Sequence, residues 1–378
     1  MQLLDLGQDT LFSGEISVCM SMSHSLGRRS FLKSLSAVAA GFAASQAGWQ
    51  RVFAQQKTIT INGAGATFPA PLYQTWAQEF GKKNPNIQVN YQSVGSGAGR
   101  QQFVARTVDF GASDSVPRPE EISKIEGEAN PPKGMVAVPM VGGALVAAYN
   151  VPGVGPEIRL SRLALANIFL GKIKKWNDPL LAGLNPGVTF PDMPITVVHR
   201  SDGSGTTDIF TTHLNAISPE WRQKVGRGSS VNWPTGVGAR GNEGVSEQIK
   251  QIPGSIGYVE YGFAKLNNLN FARLENRAGK FVVPKVETEQ AALARIKLDE
   301  RLLGVDPDPE GEDSYPIVGY TWILAYQVYP KAETSKAVKE FLRYALTEGQ
   351  SFAEPLGYVP LPEETRKKAL AALEKITP

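Results

Sequence analysis

The chain has 378 residues, of which 42% are hydrophobic and 20% charged, a composition that supports large folded cores. The 39 lysines and arginines nearly balance the 36 aspartates and glutamates, so the net charge is only +3. Nucleic-acid-binding surfaces need a dense basic stripe, and this balance argues against one. One cysteine and three histidines exclude a disulfide framework and a thiolate zinc site, and we expect neither a metal nor a cofactor.

The first 54 residues have the pattern of an export signal. Arg28 and Arg29 precede an uncharged, mostly apolar stretch over 35–49, and cleavage is predicted after Ala54. The stretch is shorter than the roughly 18 residues that a membrane-spanning helix needs. The arginine pair followed by Ser-Phe-Leu-Lys resembles a twin-arginine signal. We therefore expect a soluble periplasmic protein exported by that route; an amphipathic helix opening a cytosolic protein is the alternative.

The next part of the chain alternates between strand and helix patterns. Strands are predicted at 57–62, 87–91 and 108–112 from their β-branched, alternating residues. Helices are predicted over 69–80, with Gly81 as the stop, and over 101–106. A glycine-rich segment separates each of the first two strands from the helix that follows. Strand, glycine segment, helix and strand in succession predict parallel α/β layers.

The remaining elements repeat this alternation. The apolar run 136–149 is interrupted by Pro139 and by Gly142-Gly143, which favours a crossing between domains. A helix at 163–170 and a strand at 195–199 follow, and 255–261 is a candidate return crossing. A strand at 321–329 and helices near 333–347 and 363–376 complete the chain. We predict two α/β lobes joined by strands, the first formed by 55–140 and 262–378 and the second by 141–261.

Three glycine segments each follow a predicted strand and open a predicted helix: 63–69 (GAGATFP), 95–99 (GSGAG) and 202–207 (DGSGTT). Glycine allows the backbone to approach a ligand, and the first N–H groups of a helix have no internal partner. A tetrahedral oxyanion fits such a position without a metal. Each segment alone is better explained as a tight turn with a helix cap than as a ligand site. Three of them at strand ends indicate a ligand site.

Charged residues beside these segments refine that hypothesis. Arg200 precedes the third segment, and its planar fork suits a tetrahedral anion. Asp114 follows the third strand and Asp202 opens the third segment. A carboxylate repels an anion unless the anion carries a proton to donate, as phosphate does near neutral pH and sulfate does not. Either aspartate could select phosphate in this way, or could instead be a cap or a partner for Arg200.

Six motifs, in this order, resemble the periplasmic phosphate-binding protein family, PstS, of ABC-type phosphate transporters: GAGATFPAP, NYQSVGSGAG, TVDFGASD, IFLGKIKKWND, RSDGSGTT and GSIGYVEY. The resemblance runs from about Ile59 to beyond Gly357. It implies an α/β, two-lobed periplasmic-binding-protein fold, type II-like, with the ligand cleft between lobes joined by hinge strands. It also implies capture of inorganic phosphate and transient docking on a permease and ATPase complex by a protein that is a monomer when free.

The resemblance further implies nine phosphate-binding residues and no catalytic or metal-binding ones. Matched position by position, these are Thr67, Phe68 (through its backbone N–H), Ser96, Asp114, Arg200, Asp202, Ser204, Gly205 and Thr206. This sequence departs from the family pattern at none of them. The family's signal is commonly of the general secretory kind, so the twin-arginine prediction rests on this sequence alone.

Two rival functions use the same residues. A secreted phosphatase or phosphotransferase would need a nucleophile with a base, yet no histidine is evidently placed beside Ser96 or Ser204. A receptor for another oxyanion, such as sulfate or molybdate, is the other alternative.

The segment 236–241 (GVGARG) matches the dinucleotide-binding fingerprint in letters, but no strand is predicted before it, and we interpret it as a surface turn.

Overall fold

A nine-stranded sheet carries the fold. The computed structural model describes residues 58–156 and 158–378, so the predicted export signal at 1–54 lies outside the described residues. The strand order is β2-β1-β3-β12-β4-β8-β6-β7, with β9 paired to β4 off this path. These strands are β1 Ile59–Gly65, β2 Ile87–Ser93, β3 Phe110–Ser113, β4 Lys133–Asn150, β6 Thr196–Arg200, β7 Val237–Ala239, β8 Ser255–Glu260, β9 Asn270–Phe271 and β12 Val318–Val328. A small second sheet has the order β11-β10-β5, formed by Phe281–Val282, Arg273–Glu275 and Arg159–Leu160.

Helices connect the strands and cover the sheet. In chain order they are α1 Ala70–Lys83, α2 Ser96–Val104, α3 Pro119–Glu126, α4 Arg162–Phe169, α5 Pro179–Leu184, α6 Gly205–Ile217, α7 Pro219–Lys224, α8 Gly241–Gln251, α9 Tyr261–Leu266, α10 Val286–Leu293, α11 Ala332–Leu346 and α12 Glu363–Ala372. Short 3-10 turns lie at Glu348–Phe352, Glu354–Leu356 and Leu373–Lys375. Across 58–156 and 158–378, no helix has the length and apolar character needed to cross a bilayer.

Strand β4 joins two groups of strands. Its residues from Lys133 to Ala144 pair with β12, and those from Leu145 to Asn150 pair with β8. We call the strands β2, β1, β3, β12 and the start of β4 the first half of the sheet. The end of β4 with β8, β6, β7 and β9 is the second half. The run 136–149, predicted as a crossing, is where the chain passes from one half to the other; it is not interrupted, because β4 is continuous and Pro139 is accommodated where β12 shifts register between Thr321 and Trp322.

Parallel pairing sets the direction of the strand ends that matter. In the first half, β1 is parallel to both β2 and β3. In the second half, β6 is parallel to both β7 and β8. The carboxyl ends of the parallel strands within each half therefore meet at one edge, and the loops that follow them lie together.

The predicted helix after β1 is confirmed, but its end is not where the glycine suggested. The side chains of Leu72, Tyr73, Trp76 and Phe80 are all buried on one face of α1, as the 3.6-residue period predicts. Gly81 lies inside the helix, which continues to Lys83. No atom lies within 4 Å of where a β-carbon on Gly81 would be, so this glycine answers no packing demand.

The segment 236–241 is not a surface turn, and that prediction is wrong. Residues Val237–Ala239 form β7, which pairs in parallel with β6, and α8 begins at Gly241. Gly236 adopts a φ of +108°, and a β-carbon there would collide with the Val197 backbone of the neighbouring strand. The segment is therefore a fourth connection from a strand end to a helix start.

Candidate functional site

The first two glycine segments lie further inside regular structure than the sequence predicts. Strand β1 continues through Gly65, whose backbone lies against Ala112 of β3 so closely that any β-carbon would collide. Helix α2 begins at Ser96, five residues earlier than predicted. Gly99 lies within α2 and against Gly65, which brings the start of α2 next to the end of β1. These glycines serve close backbone packing and so place Thr67 and Ser96 beside the end of β3.

The second and third glycine segments meet across the two halves of the sheet. The Gly97 N–H donates a 2.8 Å hydrogen bond to the Gly203 carbonyl. A β-carbon on Gly205 would lie 2.5 Å from Oγ of Ser96 and 2.6 Å from Cβ of Asp114. The start of α6 is thus held directly against residues that follow β2 and β3. The structure is closed at this point.

Helix α6 begins with a capped first turn. The Ser204 hydroxyl oxygen accepts a 3.0 Å hydrogen bond from the Thr207 N–H, which satisfies one of the free donors at the helix start. Ser204, Gly205 and Thr206 are all buried. The cap explanation that the sequence allowed for Ser204 therefore applies, and it leaves the remaining N–H groups of this turn available to an anion.

Arg200 and Asp202 form a paired fork. Nε of Arg200 donates to Oδ1 of Asp202 at 2.7 Å, and Nη2 donates to Oδ2 at 2.5 Å. Oδ1 also accepts from the Gly241 N–H at 3.1 Å. Burial alone would raise the pKa of Asp202, but the Arg200 guanidinium and this N–H hold it below its usual range. Both oxygens of Asp202 are occupied, so the structure favours its role as a partner for Arg200.

Asp114 is in a different situation. It is 1% exposed, its Oδ2 accepts from the Ser96 hydroxyl at 3.3 Å, and its N–H donates to the Ser96 oxygen at 3.1 Å. Its Oδ1 is buried and makes no hydrogen bond of normal geometry within the described residues; the Thr321 hydroxyl, also without a well-formed partner there, lies close enough to this carboxyl to lower its pKa. Burial raises the pKa of Asp114 to about 7, although Thr321, the charge of Arg200 and the Ser96 hydroxyl oppose the shift. Oδ1 is therefore available to accept a hydrogen bond from a hydroxyl group of a ligand.

Thr67 and Phe68 occupy the turn between β1 and α1. The Phe68 carbonyl accepts a 2.7 Å hydrogen bond from the Tyr358 hydroxyl, and both aromatic side chains are buried. This bond fixes the turn against the C-terminal part of the chain. Oγ1 of Thr67 faces the second half of the sheet, where it accepts hydrogen bonds from Asn242.

Asn242 is a residue of this site that the sequence analysis missed. Its side-chain Nδ2 donates to Oγ1 of Thr67 at 2.8 Å and to Oγ1 of Thr206 at 3.1 Å. It follows β7, whose three residues are too short and too rich in glycine for a strand to be read from the sequence. The nearest signal in the sequence is the glycine-containing segment 236–241, which marks a connection to the start of α8 but does not indicate the role of Asn242. Tyr258, whose hydroxyl oxygen accepts a 3.1 Å hydrogen bond from the backbone N–H of Arg200, was also missed.

A cavity of about 620 Å³ lies beside the site. Its lining includes the guanidinium groups of Arg100, Arg118 and Arg227 and the carboxylates of Asp208 and Asp299. Asp114 lines a much smaller space of about 20 Å³ that shares Asp208 and three other residues with the larger one. Arg100 is ion-paired with Glu121 at 3.1 Å and Arg118 with Glu120 at 3.9 Å, so the lining as a whole has no excess of positive charge.

The site as a whole combines many donors with one free acceptor. Nη1 of Arg200 also donates to Oγ1 of Thr206 at 3.4 Å. With this contact and those above, seven of the nine predicted residues are joined, and the other two, Phe68 and Ser204, are adjacent to them in the chain. The donors are a guanidinium, hydroxyls and helix-start N–H groups. This arrangement can hold a tetrahedral oxyanion that carries at least one proton.

Comparisons with known proteins agree with this geometry. Residues 51–348 match the model of the PBP superfamily domain. The chain is 46% identical over 315 residues to the phosphate-binding protein PstS of Pasteurella multocida, covering 82% of this chain and 89% of that protein. It is 40% identical over 341 residues to PstS of Methanocaldococcus jannaschii, covering 84% and 87%. The chain belongs to the PstS family of phosphate-binding proteins.

A solved structure of a high-affinity periplasmic phosphate-binding protein, bound with phosphate, has the same fold. Its TM-score is 0.67 at 25% identity, covering 83% of this chain and 93% of that one. The predicted two-lobed α/β binding-protein fold is thereby confirmed. The names of these relatives describe binding of phosphate.

Proposed function

We propose that this protein captures inorganic phosphate in the cleft between its lobes and delivers it to an ABC-type importer. The observation that carries the proposal is Asp114, a buried carboxylate with one oxygen that makes no hydrogen bond of normal geometry in the described chain, placed among donors from both halves of the sheet. The phosphate oxygens accept from the donors, and a phosphate hydroxyl donates to Asp114. Membership of the PstS family supports the same function.

The ligands we propose are the nine residues matched to the family. Thr67, Phe68, Ser96 and Asp114 act from one side of the cleft. Arg200, Asp202, Ser204, Gly205 and Thr206 act from the other, with Asp202 holding the fork of Arg200. Phosphate binds to the open protein on one side, and closure of the hinge adds the second set of contacts and expels water.

The lobes follow from the strand pairing. We propose the two lobes predicted from the sequence, 55–140 with 262–378 and 141–261, with the crossing inside β4 between Ala144 and Leu145, where its partner changes from β12 to β8. Residues 270–275 pair with the end of β4 and with β5, which supports a second lobe that extends beyond 261. The free protein is a monomer and docks transiently on the permease and ATPase complex, which distinguishes the closed form from the open one.

Isothermal titration calorimetry of the purified, phosphate-free protein with inorganic phosphate tests the capture function. We expect saturable binding of one phosphate per chain. Absence of binding would overturn the proposal. In parallel, the metal-supplemented protein is incubated with a chromogenic phosphate ester. Release of phosphate above the background rate would favour the alternative, a secreted phosphatase or phosphotransferase.

Export to the periplasm is part of the proposal, and residues 1–54 supply the signal. Arg28 and Arg29 make the twin-arginine route the one we propose. The double substitution Arg28→Lys with Arg29→Lys keeps the charge and removes the arginine pair. We expect the precursor to remain in the cytoplasm when cell fractions are probed. Unchanged export of the double variant would indicate the general secretory route.

A further inference from the structure

Asn242 connects the two halves of the site without being one of the proposed ligands. It is fully buried as the second residue of α8. Its side chain reaches Thr67, which follows β1 in the first half, and Thr206, which lies in α6 after β6 in the second half. A single amide group thus joins one hydroxyl from each side of the cleft.

The orientation of this amide is determined by a backbone donor. The Glu260 N–H lies 3.1 Å from Oδ1 of Asn242. A backbone N–H can only donate, so the side-chain atom facing it must be the carbonyl oxygen. The NH₂ group of Asn242 therefore faces the two threonines, and it cannot exchange places with the oxygen without setting two donors against each other.

The hydroxyl of Thr67 is left with only its proton to use. A hydroxyl oxygen has two lone pairs and one proton. Oγ1 of Thr67 accepts from Nδ2 of Asn242 at 2.8 Å and from the backbone N–H of Asn242 at 3.2 Å. Both lone pairs are therefore occupied, and the remaining hydrogen bond that Thr67 can make is as a donor.

The hydroxyl of Thr206 is constrained in the same way. Its Oγ1 accepts from Nδ2 of Asn242 at 3.1 Å and from Nη1 of Arg200 at 3.4 Å. The proton of Thr206 is thus also free to be donated. Every phosphate oxygen without a proton is an acceptor, so two hydroxyls restricted to donating match that surface.

We infer that Asn242 is a positioning residue that makes Thr67 and Thr206 obligate donors to the bound anion and ties the two sides of the cleft in the closed state. This inference rests on the proposed phosphate-capture function. Asn242 acts through the two hydroxyls and does not itself touch the ligand. The site then presents donors at its hydroxyls, its guanidinium and its helix-start N–H groups, with Asp114 as the acceptor that faces the anion and Asp202 occupied by Arg200.

The test replaces the amide donor by an acceptor of the same shape. In Asn242→Asp, one carboxylate oxygen still accepts a hydrogen bond from the backbone N–H of Glu260. The other oxygen accepts hydrogen bonds from the threonine hydroxyls and so turns their protons away from the anion. We expect phosphate affinity to fall at least about 100-fold, the scale of two lost charge-assisted hydrogen bonds. Urea unfolding of the phosphate-free variant shows whether the fold is retained. Asn242→Ser, which is too short to reach either threonine, serves if the aspartate variant does not fold.

A double-mutant cycle separates positioning from a general structural or charge effect. The same Asn242 substitution is made in a protein that carries Thr67→Val and Thr206→Val, where no hydroxyl remains to be oriented. We expect the further loss of phosphate affinity in that background to be within about 10-fold. An equal loss in both backgrounds would overturn the inference. Failure of the unmodified protein to bind phosphate would count against the proposed function instead.

Discussion

Gly205 lies directly against Ser96, although the two residues follow strands in opposite halves of the sheet. A β-carbon on Gly205 would be 2.5 Å from Oγ of Ser96, closer than any real contact of that kind. The site can therefore close in this way only if residue 205 has no side chain. The resemblance to the family gave Gly205 as a phosphate ligand, and the structure adds a steric reason for glycine at this position.

The substitution Gly205→Ala is expected to impair closure and hence phosphate binding. Calorimetric titration should show a loss of affinity of about 100-fold or more, because the added methyl group separates the two sides of the cleft. The free energy of unfolding of the phosphate-free protein should change little, since the helix start tolerates alanine.

Gly183→Ala is a matched control for this experiment. Gly183 lies in α5, and no atom is within 4 Å of its added β-carbon. This variant should bind phosphate normally and be up to about 1 kcal/mol more stable, because alanine favours the helix. Normal affinity in the Gly205→Ala protein would show that the close contact with Ser96 is not needed for binding.

Arg200 and Asp202 lead to a second prediction about affinity. Arg200→Lys keeps the positive charge but loses the planar fork, so we expect phosphate affinity to fall about 10- to 100-fold. Asp202→Ala removes both hydrogen bonds that hold the fork, and a loss of about 10-fold is expected. Calorimetry measures both values.

The exposed Arg343 in α11 provides the control for the arginine variant. It pairs with Glu374 at the surface, and Arg343→Lys should bind phosphate as the unmodified protein does. If Arg200→Lys behaves like this control, then a point charge at position 200 is sufficient and the forked geometry is irrelevant.

Several features of this fold follow from the sequence, and others depend on distant contacts. The strand at 87–91 is confirmed, because alternating β-branched residues report a half-buried strand directly. The predicted helix end at Gly81 is wrong because glycine inside a helix lowers its stability by only about 1 kcal/mol relative to alanine. Burial of the apolar face of α1 outweighs this loss. The run 136–149 continues through its glycines because β12 and β8 supply partners along its whole length.

The site shows the same division. Its local parts, the capped start of α6 and the pairing of Arg200 with Asp202, involve residues close in sequence and could be predicted. Asn242 could not, because its role comes from contacts with Thr67 and Thr206, which are 175 and 36 residues away. The free oxygen of Asp114 likewise depends on how the two halves bury it.

Glu289 gives a prediction about stability and pH. It is 1% exposed on α10, and burial raises its pKa to about 8, opposed by Lys265 and the Ala144 N–H. Between its ordinary pKa and about 8, the folded protein holds a proton that the unfolded chain has lost. Stability therefore falls as the pH rises through this range, and the loss is complete above pH 8 or so.

Glu289→Gln removes this dependence, so the variant should be more stable than the unmodified protein at pH 8 by up to a few kcal/mol. The difference should shrink as the pH is lowered to about 5. Urea unfolding at both pH values measures it, with the exposed Glu287→Gln on the same helix as the control. A difference that is the same at both pH values would show that Glu289 does not hold the extra proton.

Asp114 carries the central claim, which is that a free carboxylate oxygen selects an oxyanion with a proton to donate. At about pH 8, above the pKa of about 7 of Asp114, this carboxyl is ionised and can only accept hydrogen bonds. Sulfate has the same shape as phosphate and no proton to donate, so at that pH it should be rejected. The substitution Asp114→Asn replaces the carboxylate by an amide of the same size. The substitution should narrow the difference between the affinities for phosphate and for sulfate, because an amide can either accept a hydrogen bond from phosphate or donate one to sulfate.

The most direct measurement is a calorimetric titration, at a pH above the pKa of Asp114, of the unmodified protein with phosphate in the presence of about 100-fold excess sulfate, repeated with Asp114→Asn. We expect the unmodified protein to bind phosphate with the same affinity whether or not sulfate is present, and sulfate to compete in the variant. Effective competition by sulfate against the unmodified protein would contradict the account.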